Sequence, residues 1–481
     1  MSDCTVMNRR QFLAKTGAAA LLPLLSCTAT AKKPNIVFVF ADQWRAQDTG
    51  YGGNKIVRTP HLDDLATKSI NFTQAVSGCP VCSPYRASLL TGQFPVSHGI
   101  FYNDKPLNAN ITSMGKLFAR AGYDTAYIGK WHLNGHRPGE TYRESRNRPV
   151  PAGRRQGFEF WRVRECTHAY MNSFYFDEHD EKKVWQGYDA IAQTQAAAEY
   201  MQQHPQDNPF LMVLSWGPPH APYHTAPHRY QELFSPSDIE IRKNVPLEWH
   251  DKARNSIAGY YSHIAALDEC MGNLLTTLDE TGLAENTILV FTSDHGDLLY
   301  SHGQIKKQQP WEESVRVPFL LRYPALHNSL GKTLDVPLNT PDILPTLLSL
   351  AGIDIPDSVQ GDDLSGYIKG TLTESKEFAL LSCPVPFHQW NYHRGGREYR
   401  GLRNKSFTYV RDLNGPWLLF DNQNDPYQLN NLVDHSQYSQ LVEELDAKLD
   451  ARLAAIGDEF LPGPVYMDRW NYQWDGNDAP A

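Results

Sequence analysis

The chain has 481 residues, 41% of them hydrophobic and 21% charged, and its formal net charge is −9. That balance is ordinary for a folding chain and excludes a disordered or fibrous protein. No lysine or arginine block is long enough to suggest a nucleic-acid partner, so an anionic ligand has to be met by a local cationic pocket.

The first 31 residues read as an export segment. Asn8-Arg9-Arg10-Gln11-Phe12-Leu13 resembles a twin-arginine export motif, and the apolar run from Phe12 to Leu25 is interrupted by Lys15 and Pro23. Such a run is too short and too broken to span a bilayer well. Two outcomes stay open: cleavage at Ala29-Thr30-Ala31, or a lipobox at Leu24-Leu25-Ser26-Cys27 that leaves Cys27 as a lipid anchor in the membrane. Either way the expectation is an exported protein of the periplasm or cell surface. No later segment reaches about 18 uninterrupted apolar residues, so no transmembrane helix is expected. Of the seven cysteines, five lie beyond this segment: Cys79, Cys82, Cys166, Cys270 and Cys383. An odd count in an exported chain points to one cysteine with another task.

Ile36 to Phe40 is a short apolar run that predicts a strand buried on both faces. The periodicity then predicts a helix at Ser113 to Ala121, a strand at Thr125 to Ile128, a helix at Ala190 to Met201 and a strand at Phe210 to Trp216. A helix at Ala253 to Leu278, strands at Thr287 to Thr292 and Val317 to Arg322, and a helix at Pro341 to Leu350 follow. The polar, arginine-rich and aromatic stretch 133–187 breaks this rhythm and is expected to form loops over the site. Alternating strands and helices predict an α/β fold, a large and mostly parallel sheet flanked by helices. Ligands in such folds bind at the carboxyl ends of strands, where Asp42 and Asp294 fall. Past about Lys376 the pattern changes to short strands at Phe378 to Leu381, Phe407 to Arg411 and Trp417 to Phe420, then a helix at Gln437 to Ala455. The expected organisation is an export segment over 1–31, a catalytic domain over 32–375 and a smaller C-terminal α+β subdomain over 376–481.

The stretch that carries most chemistry is Cys82-Ser83-Pro84-Tyr85-Arg86, running on to Leu89-Leu90-Thr91-Gly92. Taken alone, Cys79-x-x-Cys82 suits a disulfide, a redox pair or half a zinc site, but no second C-x-x-C accompanies it. Nor would those uses require Pro84 and Arg86. The stretch resembles the C-x-P-x-R signature of the type I, formylglycine-dependent sulfatase family, within the alkaline-phosphatase-like superfamily. Tyr85 stands where the commonest family form has Ser. Gly122 to His132 resembles the second signature and ends Gly129-Lys130-Trp131-His132. The resemblance implies that a formylglycine-generating maturation enzyme oxidises Cys82 to 3-oxoalanine. One hydroxyl of its hydrate then attacks sulfur, and deprotonation of the other expels sulfate, so no water need attack a hindered ester. It also implies that Arg86 holds the diol, that Lys130 contacts nucleophile and sulfate, and that His132 takes the proton from the remaining hydroxyl.

The same resemblance implies one Ca²⁺ held by Asp42, Gln43, Asp294 and His295 together with residue 82. Calcium prefers oxygen ligands. Gln43 offers a carbonyl oxygen, but His295 offers nitrogen where Asn is commoner, so Mg²⁺ or a shifted geometry stays open. His220, in Gly217-Pro218-Pro219-His220, and Lys307, favoured over Lys306 by family spacing, are expected to bind sulfate oxygens and serve the leaving alcohol. Further candidates for substrate contact are His168 and Asn172 in the polar stretch, where loop hydrogen bonding is an equal reading. Aromatics beside histidine and arginine in Phe387 to Arg394 suit sugar stacking or an interdomain packing edge. The expected function is hydrolysis of sulfate esters on a sulfated carbohydrate, a bacterial polysaccharide of the ulvan, carrageenan or glycosaminoglycan type. Two alternatives stand beside it. One is a phosphodiesterase or phosphonate monoester hydrolase on the same scaffold; the other is a non-catalytic lipoprotein that binds sulfated glycan.

Overall fold

The apolar run after Pro34 forms β1 (Asn35–Asp42), buried along its whole length, as a strand covered on both faces has to be. In this computed structural model residues 32–472 are described, apart from 138, 328, 329 and 375, so the export motif, the cleavage site and Cys27 lie outside the described residues. β1 sits mid-sheet, parallel to β9 (Thr287–Ser293) on one side and to β8 (Phe210–Pro219) on the other. Beyond β8 come β4 (Asp124–Lys130), β5 (Phe160–Arg164), β6 (Phe174–Phe176) and β7 (Lys182–Val184). Beyond β9 come β10 (Phe319–Arg322), β2 (Ile70–Phe72) and β11 (Lys332–Leu334), which completes ten strands. The central strands run parallel, whereas β10 runs antiparallel to both β9 and β2. A small parallel pair, β3 (Ala75–Val76) and β12 (Leu338–Asn339), lies apart from this sheet.

Successive side chains of a strand face opposite ways, and β1 shows both cores that follow. Val37, Val39 and Ala41 pack with α3 (Asp189–Gln203) and α4 (His250–Glu280) through residues such as Ala197, Ile264 and Leu267. Ile36, Phe38 and Phe40 pack on the other side with α1 (Cys82–Thr91), α2 (Met114–Arg120) and α5 (Ile343–Leu350) through Leu89, Phe118 and Leu347. Each of the Val, Ile, Leu and Phe side chains among these stabilises the fold by roughly 1.5–3 kcal/mol through burial. Among the described residues no helix is long and apolar enough to cross a membrane.

Two stretches depart from the expectation. Residues 133–187 hold β5, β6 and β7 as well as loops. β5 extends the parallel sheet beside β4, its Trp161 and Val163 buried and Phe160, Arg162 and Arg164 half-buried. The alternating arginines concealed it. In the C-terminal part, β13 (Ala379–Cys383), β15 (Phe407–Asp412) and β16 (Gly415–Asp421) were legible, but β14 (Tyr399–Arg403) was not. Arg400 and Arg403 make it read as polar, yet both are buried in ion pairs, with Asp458 and Glu312 respectively. The four strands form an antiparallel sheet in chain order. One face packs on α6 (Ser439–Ile456) through Leu402, Tyr409, Leu445 and Leu449. Leu381 and Val410 of the other face pack with Val76 and Val315 of the larger part.

Candidate active site

The C-terminal ends of β1, β4, β8 and β9 converge with the N-terminal end of α1. α1 starts at Cys82, and all ten of its residues are buried. Arg86, one turn on, lies on the same face as Cys82. Its Nη2 donates at 3.3 Å to Asp42 Oδ2, at the end of β1, and at 3.3 Å to Asp294 Oδ2, just past β9. Its Nη1 donates at 2.7 Å to Lys130 O and at 2.7 Å to Ser215 Oγ, so one guanidinium ties together four strand ends.

Cys82 Sγ lies 3.2 Å from His295 Nε2, 3.1 Å from Lys307 Nζ and 3.7 Å from Asp42 Oδ1. Lys130 Nζ stands 2.5 Å from Asp42 Oδ2. Burial and Asp42 oppose a thiolate at residue 82, but Lys130, Lys307 and His295 outweigh them and hold the thiol well below its usual range. Burial likewise opposes ionisation of Asp42, and the neighbouring cations, Lys130 foremost and then Lys307, overcome it. Burial and the neighbouring Asp42 charge push the Asp294 carboxyl up to about 6.

Asp42, Cys82, Asp294 and His295 bring one ligand atom each to within 4.8 Å of one another. His295 Nδ1 donates at 3.0 Å to the carbonyl of Gly296, which can only accept. The ring therefore turns its other nitrogen, Nε2, towards Cys82, Asp42 and Asp294. Two converging carboxylates and an imidazole nitrogen form a donor set that fits a divalent cation. Gln43 adjoins it. Its Nε2 donates at 2.8 Å to Asp297 Oδ2, which sets the amide and leaves Oε1 to accept from Lys307 Nζ at 3.1 Å.

Above this floor is a cavity of about 220 Å³ lined by Cys82, Lys130, His132, His220, Lys307 and others. His220 Nδ1 donates at 2.8 Å to Ala221 O, which leaves Nε2 for a ligand. Burial and Lys307 hold this imidazole well below its usual range, so it is neutral near pH 7. His132 differs. Burial opposes its charge and the Cys166 sulfur favours it; Lys130 opposes and Asp104 favours, and the balance lifts it to about 9. His132 Nε2 lies 3.4 Å from Asp104 Oδ1, and Asp104 is held in turn by Arg146 Nε at 2.9 Å.

The structure thus gathers Asp42, Gln43, Cys82, Arg86, Lys130, His132, His220, Asp294, His295 and Lys307 in one place, and Lys306 also reaches the cavity wall. His168 joins them, stacked flat on His220 with centroids 4.6 Å apart. Asn172 does not: it is exposed and its Oδ1 accepts from Gly187 N at 2.8 Å, a loop contact. Phe387, His388 and Gln389 line the cavity, while Trp390 turns into the core shared with Val76 and Val315. The packing-edge reading of that segment therefore holds for Trp390. Sequence reasoning missed Asn103, Asp104, Arg146, Cys166 and Gln308 around the cavity and Asp297 beneath it. Only Asp297 carried a signal, two residues past His295 in the same motif. All five cysteines of the described chain are buried and free.

A family profile described as Sulfatase matches residues 34–353, and one described as N-sulphoglucosamine sulphohydrolase, C-terminal, matches residues 301–455. An ulvan-active sulfatase of Formosa agariphila is 43% identical over 95% of this chain and 90% of its own. An endo-4-O-sulfatase of Bacteroides thetaiotaomicron is 29% identical over 92% of this chain and 96% of its own. A crystal structure from Bacteroides fragilis, provisionally assigned as a sulfatase, superposes with a TM-score of 0.81 at 31% identity, covering 91% of this chain and 98% of the other.

Proposed function

The chain belongs to the sulfatase family and is a sulfuric ester hydrolase, and we propose that it removes sulfate from a sulfated polysaccharide or from oligosaccharides cut from one, using a formylglycine made from Cys82 by a maturation enzyme. The observation that carries this reading is the meeting of Arg86, Lys130 and Lys307 with Asp42 and Asp294 around Cys82. Three fixed cations against two carboxylates leave a pocket with room for an anion and a nucleophile at its floor. The thiol of Cys82 stands where the hydroxyls of the hydrated aldehyde belong in this reading.

Asp42, Asp294, His295 and the amide oxygen of Gln43 would hold Ca²⁺, with Mg²⁺ the lesser fit. Bound there, the cation would polarise a sulfate oxygen and the nucleophile. Lys307 and Lys130 hold the sulfate oxygens. His220 Nε2 faces the leaving alcohol; burial and the Lys307 charge hold it neutral before substrate arrives, and the arriving anion offsets the second of these. Once the alcohol has left, sulfate is esterified to residue 82, and His132 accepts the proton of the remaining hydroxyl as that ester breaks to aldehyde and free sulfate.

The carbohydrate reading is supported by the named activities of the relatives and by the polar and aromatic cover that His168, Phe387, His388 and Gln389 give the cavity. The twin-arginine motif supports a periplasmic or cell-surface enzyme, with Cys27 as an optional lipid anchor. Two assays decide between substrates. Turnover of an aryl sulfate is compared with that of an aryl phosphodiester, and sulfate release is followed from ulvan, carrageenan and glycosaminoglycan oligosaccharides. Sulfate release from at least one glycan is expected. Faster turnover of the phosphodiester than of any sulfate ester would sink the proposal.

A further inference from the structure

A second cavity, about 450 Å³, adjoins the first and is lined by Tyr102, Asp104, Lys105, His136, Tyr142 and Tyr472 among others. Asn103 borders both cavities. Asp104, in the wall of the second, is paired with Arg146, in the wall of the first. The two spaces are therefore separated by one turn of chain and one ion pair.

Two features of the second cavity point to a ligand. The first is its flat surfaces. Tyr472 meets the buried Tyr102 edge to face, at 82° with centroids 6.4 Å apart, and Tyr142 lies flat on His136 at 4.4 Å. Tyrosine faces suit the C–H surfaces of a pyranose, and their edges suit its hydroxyls. The second is Lys105. Its Nζ stands 4.8 Å from the Tyr102 centroid and 4.5 Å from that of Tyr472. Among the described residues no carboxylate lies within salt-bridge distance of it, because Asp104 is spent on Arg146 and His132. Burial pushes this ammonium down to about 8. Ring faces compensate a half-buried cation only in part, so an anion that reaches Nζ from the cavity would be bound with gain.

We propose that this cavity receives the sugar next to the one that carries the scissile sulfate, and that Lys105 pairs with a negative group on that neighbour, a uronate carboxylate or a second sulfate. The inference rests on the sulfated-glycan reading above. It makes the enzyme a reader of two adjoining sugars: the first cavity selects the ester to be cut and the second selects an acidic neighbour.

The test uses three disaccharides that share one sulfated sugar. In one the neighbour is a uronic acid, in the second its carboxyl is reduced to the alcohol, and in the third the neighbour carries a sulfate. In Lys105→Gln, the ratio of kcat/KM for an acidic to the reduced disaccharide should fall about tenfold or more, mostly through KM. Lys105→Arg should restore part of it. Whether the loss falls on the uronate or on the sulfated neighbour identifies the anion. Calorimetric titration of Cys82→Ala protein, with and without Lys105→Gln, gives the same comparison without turnover. Equal losses on acidic and reduced disaccharides, or no binding of any of them to Cys82→Ala, would overturn the subsite. Sulfate released equally from all three, with no effect of Lys105→Gln, would overturn it while leaving the hydrolase reading intact. Lys105-dependent binding of the acidic disaccharides without release of sulfate would keep the subsite and remove the glycan-hydrolysis reading.

Discussion

Cys82 does two things that a cysteine rarely does together: it opens a helix and it sits on a floor of cations. Mass spectrometry of the peptide spanning residue 82 in active enzyme is expected to show the thiol replaced by an aldehyde or its hydrate. Cys82→Ala should fold and lose turnover entirely. Fully active protein carrying only the thiol would refute this. The two histidines separate by kinetic step. His220→Ala should lose far more on a sugar sulfate than on a nitrophenyl sulfate, whose leaving group needs little protonation. His132→Ala should lose on both and retain sulfate bound to the protein. His132 also sets a pH dependence. A group that accepts a proton works from its neutral form, and His132 is lifted to about 9, so kcat limited by its step should climb with pH towards that value. Asp104→Asn removes a charge that favours the imidazolium, and should move the inflection downward. An inflection that stays put in Asp104→Asn would show that Asp104 does not tune this base.

At the scale of elements, the site is a set of strand ends held at fixed heights. Asp42 closes β1, Lys130 closes β4, and Asp294 follows β9, with Arg86 of α1 bound to all three. Asp294→Ala removes a carboxylate from the cluster of four ligand atoms and is expected to abolish both metal content, read by elemental analysis, and turnover. Exhaustive chelation should do the same to the parent enzyme, and Ca²⁺ should restore it. Full activity in metal-free protein would refute the assignment. Register within the sheet matters as much. Gly129, with φ of +104°, lies just before Lys130, and a Cβ there would stand 2.0 Å from Ser215 O of β8. Gly129→Ala has to push β4 away from β8. A loss of stability on the order of 2–3 kcal/mol is expected, together with lost activity as Lys130 leaves Asp42, and denaturant unfolding would measure it.

Over the whole molecule, the C-terminal sheet is no appendage. Val76 and Val315 share a core with Ala379, Leu381, Tyr399 and Val410. Arg403 of β14 donates from Nε and Nη2 to the two Glu312 oxygens, at 2.7 and 3.0 Å. Removing one partner of a buried pair leaves the other charge stranded, so Arg403→Met should cost about 3–5 kcal/mol, while Arg403→Met with Glu312→Gln should cost less. A chain ending at residue 375 exposes that core and loses Phe387, His388 and Gln389 from the cavity wall. It is expected to show no cooperative melting, and a soluble, cooperatively folded truncation would refute the shared core.

The sequence alone determined the chemistry that rests on local spacing. Cys82 and Arg86 are one helical turn apart, Lys130 and His132 follow one strand, and Asp294 and His295 follow another, so their meeting at strand ends follows from the alternation of strands and helices. It also gave the mostly parallel sheet, because strands buried on both faces leave apolar runs that no charge interrupts. What it concealed is what depends on distant partners. β5 and β14 carry arginines that look solvated until distant partners meet them in the folded chain, Glu178 for Arg162 of β5 and Asp458 and Glu312 for Arg400 and Arg403 of β14. Asp104 stands beside His132 only because Arg146, 42 residues on, holds it there, and Gln43 points its oxygen at the site only because Asp297, 254 residues on, takes its Nε2 hydrogen bond. Asn172, beside His168 in the same polar stretch, turned out to serve a loop. Only the tertiary structure decides such cases. The cost of burying a charge or an amide is local, but the partner that offsets it can come from anywhere in the chain.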